Sequence, residues 1–141
     1  PEALIMNFAS MGSLLPVPGQ GAYGSSKGAI RLFTDTLYAE LDGTNVNVSL
    51  VFPGAVATNI TGNSGVDVPG GKDTSPEEIE KSAMKPMAVS DAGAIIVAAI
   101  ASDKYRVMIG KDAKTFDALS RVSPTKSIRT IAKKVAEAIG I

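Results

Sequence analysis

The sequence predicts an α/β fold, a doubly wound parallel sheet built in three layers. Three observations carry that reading. Short apolar runs at 2–8, 46–52 and 105–109 have the length of strands rather than helices. Helical patterns lie between them, as crossovers between parallel strands require. Polar, glycine and proline residues gather just past the strand ends, where open α/β sheets bind ligands.

The first run, Glu2 to Phe8, contains Ala3-Leu4-Ile5-Met6 and predicts a buried strand with Ser10 just beyond its end. A helical pattern follows from about Gln20 to Leu41. Val46 to Phe52 is β-branched and apolar, a second strand, and it ends in Pro53-Gly54-Ala55-Val56-Ala57-Thr58. Asn59 to Lys72 is glycine-rich and reads as a loop. Ser75-Pro76-Glu77-Glu78 has a cap serine, a first-turn proline and a glutamate placed to reach back, so a helix is expected to start there. Ser90-Asp91 is expected to cap the next helix, with Ile95, Ile96, Val97 and Ile100 as a wide buried face. Tyr105 to Ile109 is a third strand, closed by Gly110. Lys111 to Ile141 suggests two helices broken near Ser123-Pro124. The second carries Ile128, Ile131, Ala132, Val135 and Ile139 on one stripe, with Lys126, Arg129, Lys133 and Lys134 elsewhere. That stripe lacks the large aromatics of a helix lying on a membrane, so packing on its own domain or on a partner subunit is expected.

Composition narrows the chemistry. Basic and acidic residues balance at 14 each, which argues against a nucleic-acid or polyanionic partner. There is no cysteine, so disulfides and thiolate chemistry are excluded. There is no histidine either, so acid–base work near neutral pH falls to tyrosine, lysine or carboxylate. Without imidazole or thiolate, and with scattered carboxylates, no metal is expected. No apolar run reaches the length of a membrane span and no secretory signal is evident, so a cytoplasmic enzyme is expected.

Tyr23-Gly-Ser-Ser-Lys27 places a phenol and an ammonium four residues apart, on one face of a helix. A positive charge beside a phenol favours its ionised form, which suits a general acid or base. Ser10 stands thirteen residues before the phenol. Tyrosine and lysine at this spacing also occur by chance, so the pair alone decides little.

With Asn7-Phe-Ala-Ser10, Pro18-Gly19-Gln20, Tyr23-Gly-Ser-Ser-Lys27 and Pro53-Gly-Ala-Val-Ala-Thr58 in this order and spacing, the chain resembles the short-chain dehydrogenase/reductase family, in its classical branch. The resemblance covers the whole chain but matches only the C-terminal half of the family's Rossmann-type fold, with additional C-terminal helices. The pyrophosphate-binding glycine turn and the residue that chooses between NAD and NADP would lie upstream of Pro1. It implies residues 1–58 as a catalytic strand-helix-strand, 59–88 as a substrate lid, 89–110 as the last helix and strand, and 111–141 as a helical tail. It implies Tyr23 as general acid or base, Lys27 on the nicotinamide ribose and beside the phenol, and Ser10 as donor to the substrate oxygen. Pro53, Gly54, Val56 and Thr58 would line the nicotinamide, with Tyr23 and Lys27 also touching the cofactor, NAD or NADP. A small carbonyl or alcohol substrate and a homo-dimer or homo-tetramer follow from the same likeness.

Each position has a plainer reading. Ser13 competes with Ser10, though it stands only ten residues before Tyr23. Tyr38 has Asp42 rather than lysine four residues on and reads as packing. Pro53-Gly54 is also an ordinary strand-ending turn, and Thr58 an ordinary loop residue. Met84 and Met87 either touch substrate or fill gaps. The expected function is interconversion of a carbonyl and a secondary alcohol by hydride transfer, needing the N-terminal half. A sugar-nucleotide epimerase or dehydratase and a non-catalytic half-domain are the alternatives.

Overall fold

The computed structural model describes residues 2–58 and 86–139, with side chains described up to Lys134. Strand β1 (Ala3–Phe8) leads through a short 3-10 turn (Met11–Ser13) into helix α1 (Gly21–Glu40), then strand β2 (Val46–Pro53). Helix α2 (Val89–Ala101), strand β3 (Arg106–Ile109) and helices α3 (Lys111–Val122) and α4 (Pro124–Ile139) follow. Every strand and helix expected within the described residues is present, with bounds shifted by a residue or two. The loop expected at Asn59–Lys72, the helix start at Ser75-Pro76 and Met84 lie outside the described residues.

The sheet is parallel in the order β1-β2-β3. β2 is the central strand, and Leu50, Val51 and Phe52 are fully buried. Alternation along the strand sends Val51 to one face and its neighbours to the other. On the first face Val51, Val107 and Ile109 pack with Ala92 and Ala99 of α2, and Ile95 and Ile96 flank them. On the second, Leu50 and Phe52 pack with Ala9 and Leu14, backed by Ile30 of α1 and Phe116 of α3. Helices therefore cover both faces, giving the three-layer α/β architecture.

Four expectations are corrected. Among the described residues β1 is an edge strand and not a buried one, and Phe8 is 43% exposed. Its backbone pairs only with β2 among the described residues, so apolar composition alone does not enclose it. The face of α2 is narrower than its sequence suggests. Val97 is 65% exposed and Ile100 is also exposed, because the small Ala92 and Ala99 set the line of closest approach to the sheet. Its cap is not Ser90-Asp91. The helix begins at Val89 after the extended Ala88, and Asp91 falls within the first turn, where its charge suits the helix dipole. In α4 the buried pair is Ser127 and Ile131, while Ile128 is exposed. Ser127 Oγ donates to Ser123 O at 2.7 Å and approaches Leu119 O at 3.2 Å, which turns that side of the helix onto α3. The side chains of Val135 and Ile139 lie outside the description. Lys126, Arg129, Lys133 and Lys134 are exposed, as the stripe implies.

Polar ties also fix the middle and the far end of α1. Thr34, fully buried in mid-helix, donates to Ile30 O at 2.7 Å and accepts from Asn7 Nδ2 of β1 at 3.0 Å. Near the helix end, Tyr38 stacks on Tyr105 with centroids 3.8 Å apart, which bears out its packing role. The Tyr105 hydroxyl donates to Asp35. Burial, and then that carboxylate, push the phenol above its ordinary range, so it remains a donor. On β3, Arg106 pairs with Asp117 of α3 at 2.8 Å and lies over Phe52, 4.6 Å from the ring centre. Arg121 closes on the same carboxylate at 3.1 Å. Burial works against the charged form of Asp117, but the hydrogen bonds from Arg106 and Arg121 outweigh it and hold the carboxyl below its usual range.

Two stability predictions follow from these ties. Thr34→Val keeps the shape but strands the Asn7 amide, and should cost about 1–3 kcal/mol in urea unfolding, while the exposed Thr36→Val should cost under about 0.5 kcal/mol. Equal losses for the two would refute the tie. Asp117 has a folded value below its unfolded one, so its contribution is complete above the ordinary aspartate range, about 4, and fades as pH falls through the folded value. Asp117→Asn should flatten the acid limb of stability against pH, and an unchanged limb would show that Asp117 does not govern it.

Candidate functional site

The residues at the carboxyl end of β1 converge because the chain turns sharply there. Ser10 is buried, with extended backbone, and caps the 3-10 turn; its Oγ accepts Gly12 N–H at 3.2 Å. A hydroxyl that accepts still has its own proton to donate. Ser13 is engaged differently. Its Oγ donates to Ser10 O at 2.6 Å, so its proton goes into closing the turn. The two candidate serines are thereby separated by geometry.

Tyr23 stands in the first turn of α1, which comes unusually close to the 3-10 turn. A Cβ on Gly24 would lie 3.3 Å from Gly12 O, tighter than most real contacts. A Cβ on Gly12 would lie 3.6 Å from Ser10 Oγ and 3.7 Å from Tyr23 Cε1, so hydroxyl and ring flank one small volume. Tyr23 is 43% exposed, and its hydroxyl makes no hydrogen bond to any described residue. Lys27, one turn further on, reaches back to β1 and donates to Phe8 O at 3.3 Å. Its Nζ is 5.9 Å from the centre of the Tyr23 ring. Ser10, Tyr23 and Lys27 are thus brought together at one strand end. A hydroxyl, a phenol and an ammonium so arranged can donate to an oxygen that gains negative charge.

The Pro53–Thr58 loop leaves β2 at the same edge of the sheet. Gly54 N–H continues the ladder to Ile109 O at 2.8 Å, and Ala55 N–H then turns to Asp112 Oδ2 at 2.6 Å. Val56 bridges to Met87, which donates to Ala55 O and accepts from Ala57 N–H, both at 2.9 Å. Met87 also packs against the α2 side of the core, a gap-filling role. Val56 N–H and the Thr58 hydroxyl make no hydrogen bond to any described residue. A cleft of about 330 Å³ opens between Gly12–Val17 and the start of α1. Ser10, Tyr23 and Lys27 do not line it, so the polar cluster and not the cleft marks the candidate site.

Residues 1–68 match the family model described as short chain dehydrogenase. A Mycobacterium tuberculosis protein named as the oxidoreductase SadH is 32% identical over 135 residues, covering 94% of this chain and 49% of its own. The chain belongs to the short-chain dehydrogenase/reductase family. Solved members share its fold. A short chain dehydrogenase from Burkholderia cenocepacia, in complex with NADP, aligns with a TM-score of 0.69 at 22% identity, over 91% of this chain and 46% of that one. A short chain dehydrogenase/reductase from Burkholderia phymatum, in complex with NAD, aligns at 0.65 and 25% identity, over 92% and 49%. The chain spans about half the length of these family members.

Sequence reasoning passed over Asp112 and Thr34. Gly110-Lys111-Asp112 after a strand has the form of any helix start, and a mid-helix threonine carries no mark of its partner. Asp112 announces itself only through Ala55, which is 57 residues away in the chain.

Proposed function

We propose that this chain carries the acid–base half of an NAD(P)-dependent oxidoreductase that interconverts a carbonyl and a secondary alcohol. The observation that carries the reading is the convergence of Ser10 and Tyr23 over Gly12, with Lys27 one turn further along the same helix. Bound nicotinamide supplies or receives the hydride at the carbonyl carbon. In reduction, the Tyr23 hydroxyl gives its proton to the carbonyl oxygen, leaving an alcohol; in oxidation, the phenolate takes that proton back. Ser10 donates to the same oxygen as charge develops on it. Lys27 stands beside the Tyr23 ring and offers donors to the ribose hydroxyls. The Val56 N–H and Thr58 hydroxyl, without a partner among the described residues, suit a carboxamide, which needs both donors and acceptors, and Pro53 and Gly54 form the approach to it. On this reading residues 1–58 carry the chemistry and 59–88 cover the substrate. Assembly as a homo-dimer or homo-tetramer belongs to the same proposal.

In the protein carrying the complete nucleotide-binding half, Tyr23→Phe should lower kcat by about 10²–10⁴-fold while cofactor affinity stays near normal. Lys27→Ala should damage both, since one group serves phenol and ribose. Ser10→Ala should cost about 10²-fold in kcat, and Ser13→Ala far less. A Tyr23→Phe enzyme that keeps most of its kcat would end the acid–base assignment. The 141-residue chain alone should show no nicotinamide-dependent turnover, because the family's pyrophosphate-binding turn is not among its residues. Turnover by that purified chain would contradict the proposed division of labour.

A further inference from the structure

We propose that Asp112 is a positioning residue for the cofactor loop, holding Pro53–Thr58 in the conformation that meets the nicotinamide. This rests on the reading of that loop given above and adds a residue from a different element.

Asp112 lies in the first turn of α3, where a carboxylate ordinarily serves the free N–H groups of its own helix. One oxygen does this: Oδ1 accepts Ala113 N–H at 2.9 Å. The other leaves the helix and accepts Ala55 N–H at 2.6 Å, a short charge-assisted bond. The sheet explains why it is needed. β2 outruns β3, since Pro53 pairs with Ile109 and Gly54 N–H takes the last carbonyl of that ladder. Ala55 is the first residue past the end of its neighbour, and its N–H would otherwise lack a partner. Its carbonyl is taken by Met87 N–H on the other side, so the loop is gripped at both poles of one residue.

The surrounding backbone leaves room for this carboxylate. A Cβ at Gly54 or at Gly110 would overlap Asp112 Oδ1, and Gly110 has φ +98°, a conformation that favours glycine. Capping α3 would not require a glycine in the β2 loop. A clearing formed by two separate turns points to a tie between them. The directions of Val56 N–H and the Thr58 side chain follow from the backbone at Ala55, so they depend on this bond.

The test uses the full-length protein, steady-state kinetics with NADH and NADPH, and thermal unfolding. Asp112→Ala should raise the cofactor KM about tenfold, the scale of one charge-assisted hydrogen bond. It should leave kcat at saturating cofactor and the carbonyl KM within about twofold. Asp112→Asn keeps an acceptor oxygen and should recover most of the loss. A purely structural residue would lower Tm without splitting KM from kcat. An unchanged cofactor KM in Asp112→Ala overturns the proposal, as does an Asn variant no better than Ala. Should Asp112→Ala not fold, Asp112→Ser, too short to reach Ala55, is read by the same criteria. The loop reading is checked separately by alkylating Thr58→Cys in a cysteine-free background, with and without NADPH. Protection of that thiol alongside unchanged Asp112→Ala kinetics removes the role of Asp112 alone. No protection removes the loop reading, and this proposal with it.

Discussion

The structure depends on the parallel pairing of β1 with β2. A parallel pair forces a crossover, here α1, and it brings the carboxyl ends of both strands to the same edge. The register that sets Phe8 beside Val51 leaves Ser10 and the Pro53–Thr58 loop just beyond that edge. Antiparallel pairing would send them to opposite ends of the sheet. The pairing is held in place because β2 is buried on both faces, so a slip of one residue would exchange the two sides of the core.

Within that frame, backbone groups left over at the strand ends recruit the polar residues. The Phe8 carbonyl, at the end of β1, draws Lys27 back across the first turns of α1. The Ser10 carbonyl takes both the N–H and the hydroxyl of Ser13, which tightens the turn and sets where α1 can begin. Close approach at Gly24 and Gly12 then brings the Tyr23 ring over the turn, near the Ser10 hydroxyl. Thr34 and Asn7 hold the middle of the helix to β1, and the Tyr38–Tyr105 stack holds its far end near β3. A side chain in the first turn is only as well placed as the helix that bears it, so these distant ties serve the site.

Membership of the short-chain dehydrogenase/reductase family gives this edge its context. In the solved relatives the aligned half is continuous with another of similar length. On the described surface, β1 exposes Ile5 and Phe8, and α1 exposes Leu32 and Phe33. Apolar side chains of this size leave water when a neighbour is available. On the β2–β3 side, α2 and α3 pack over opposite faces of the sheet. Asp112 belongs to that side, joining the β3 turn to the loop that leaves β2.

The strands, the helices, the Tyr23–Lys27 spacing and the family likeness were legible in sequence because they rest on local order: apolar period, turn residues and i, i+4 geometry. The break at Ser123-Pro124 was visible for the same reason, proline being unable to continue a preceding helix. What local order does not contain is which apolar residues find a neighbour. Val97 and Ile100 match Ile95 and Ile96 in hydropathy, yet two alanines decide which of them face the sheet. β1 reads as a core strand and is an edge strand among the described residues, because burial depends on what stands beside it. Ser10 and Ser13, equal as hydroxyls, differ in which proton the turn uses. Asp112 was hidden in an ordinary helix start until the fold carried it to Ala55. Sequence determined the elements and the chemistry they bear; tertiary structure decided the partners, because hydrogen bonds and burial are made between residues far apart in the chain.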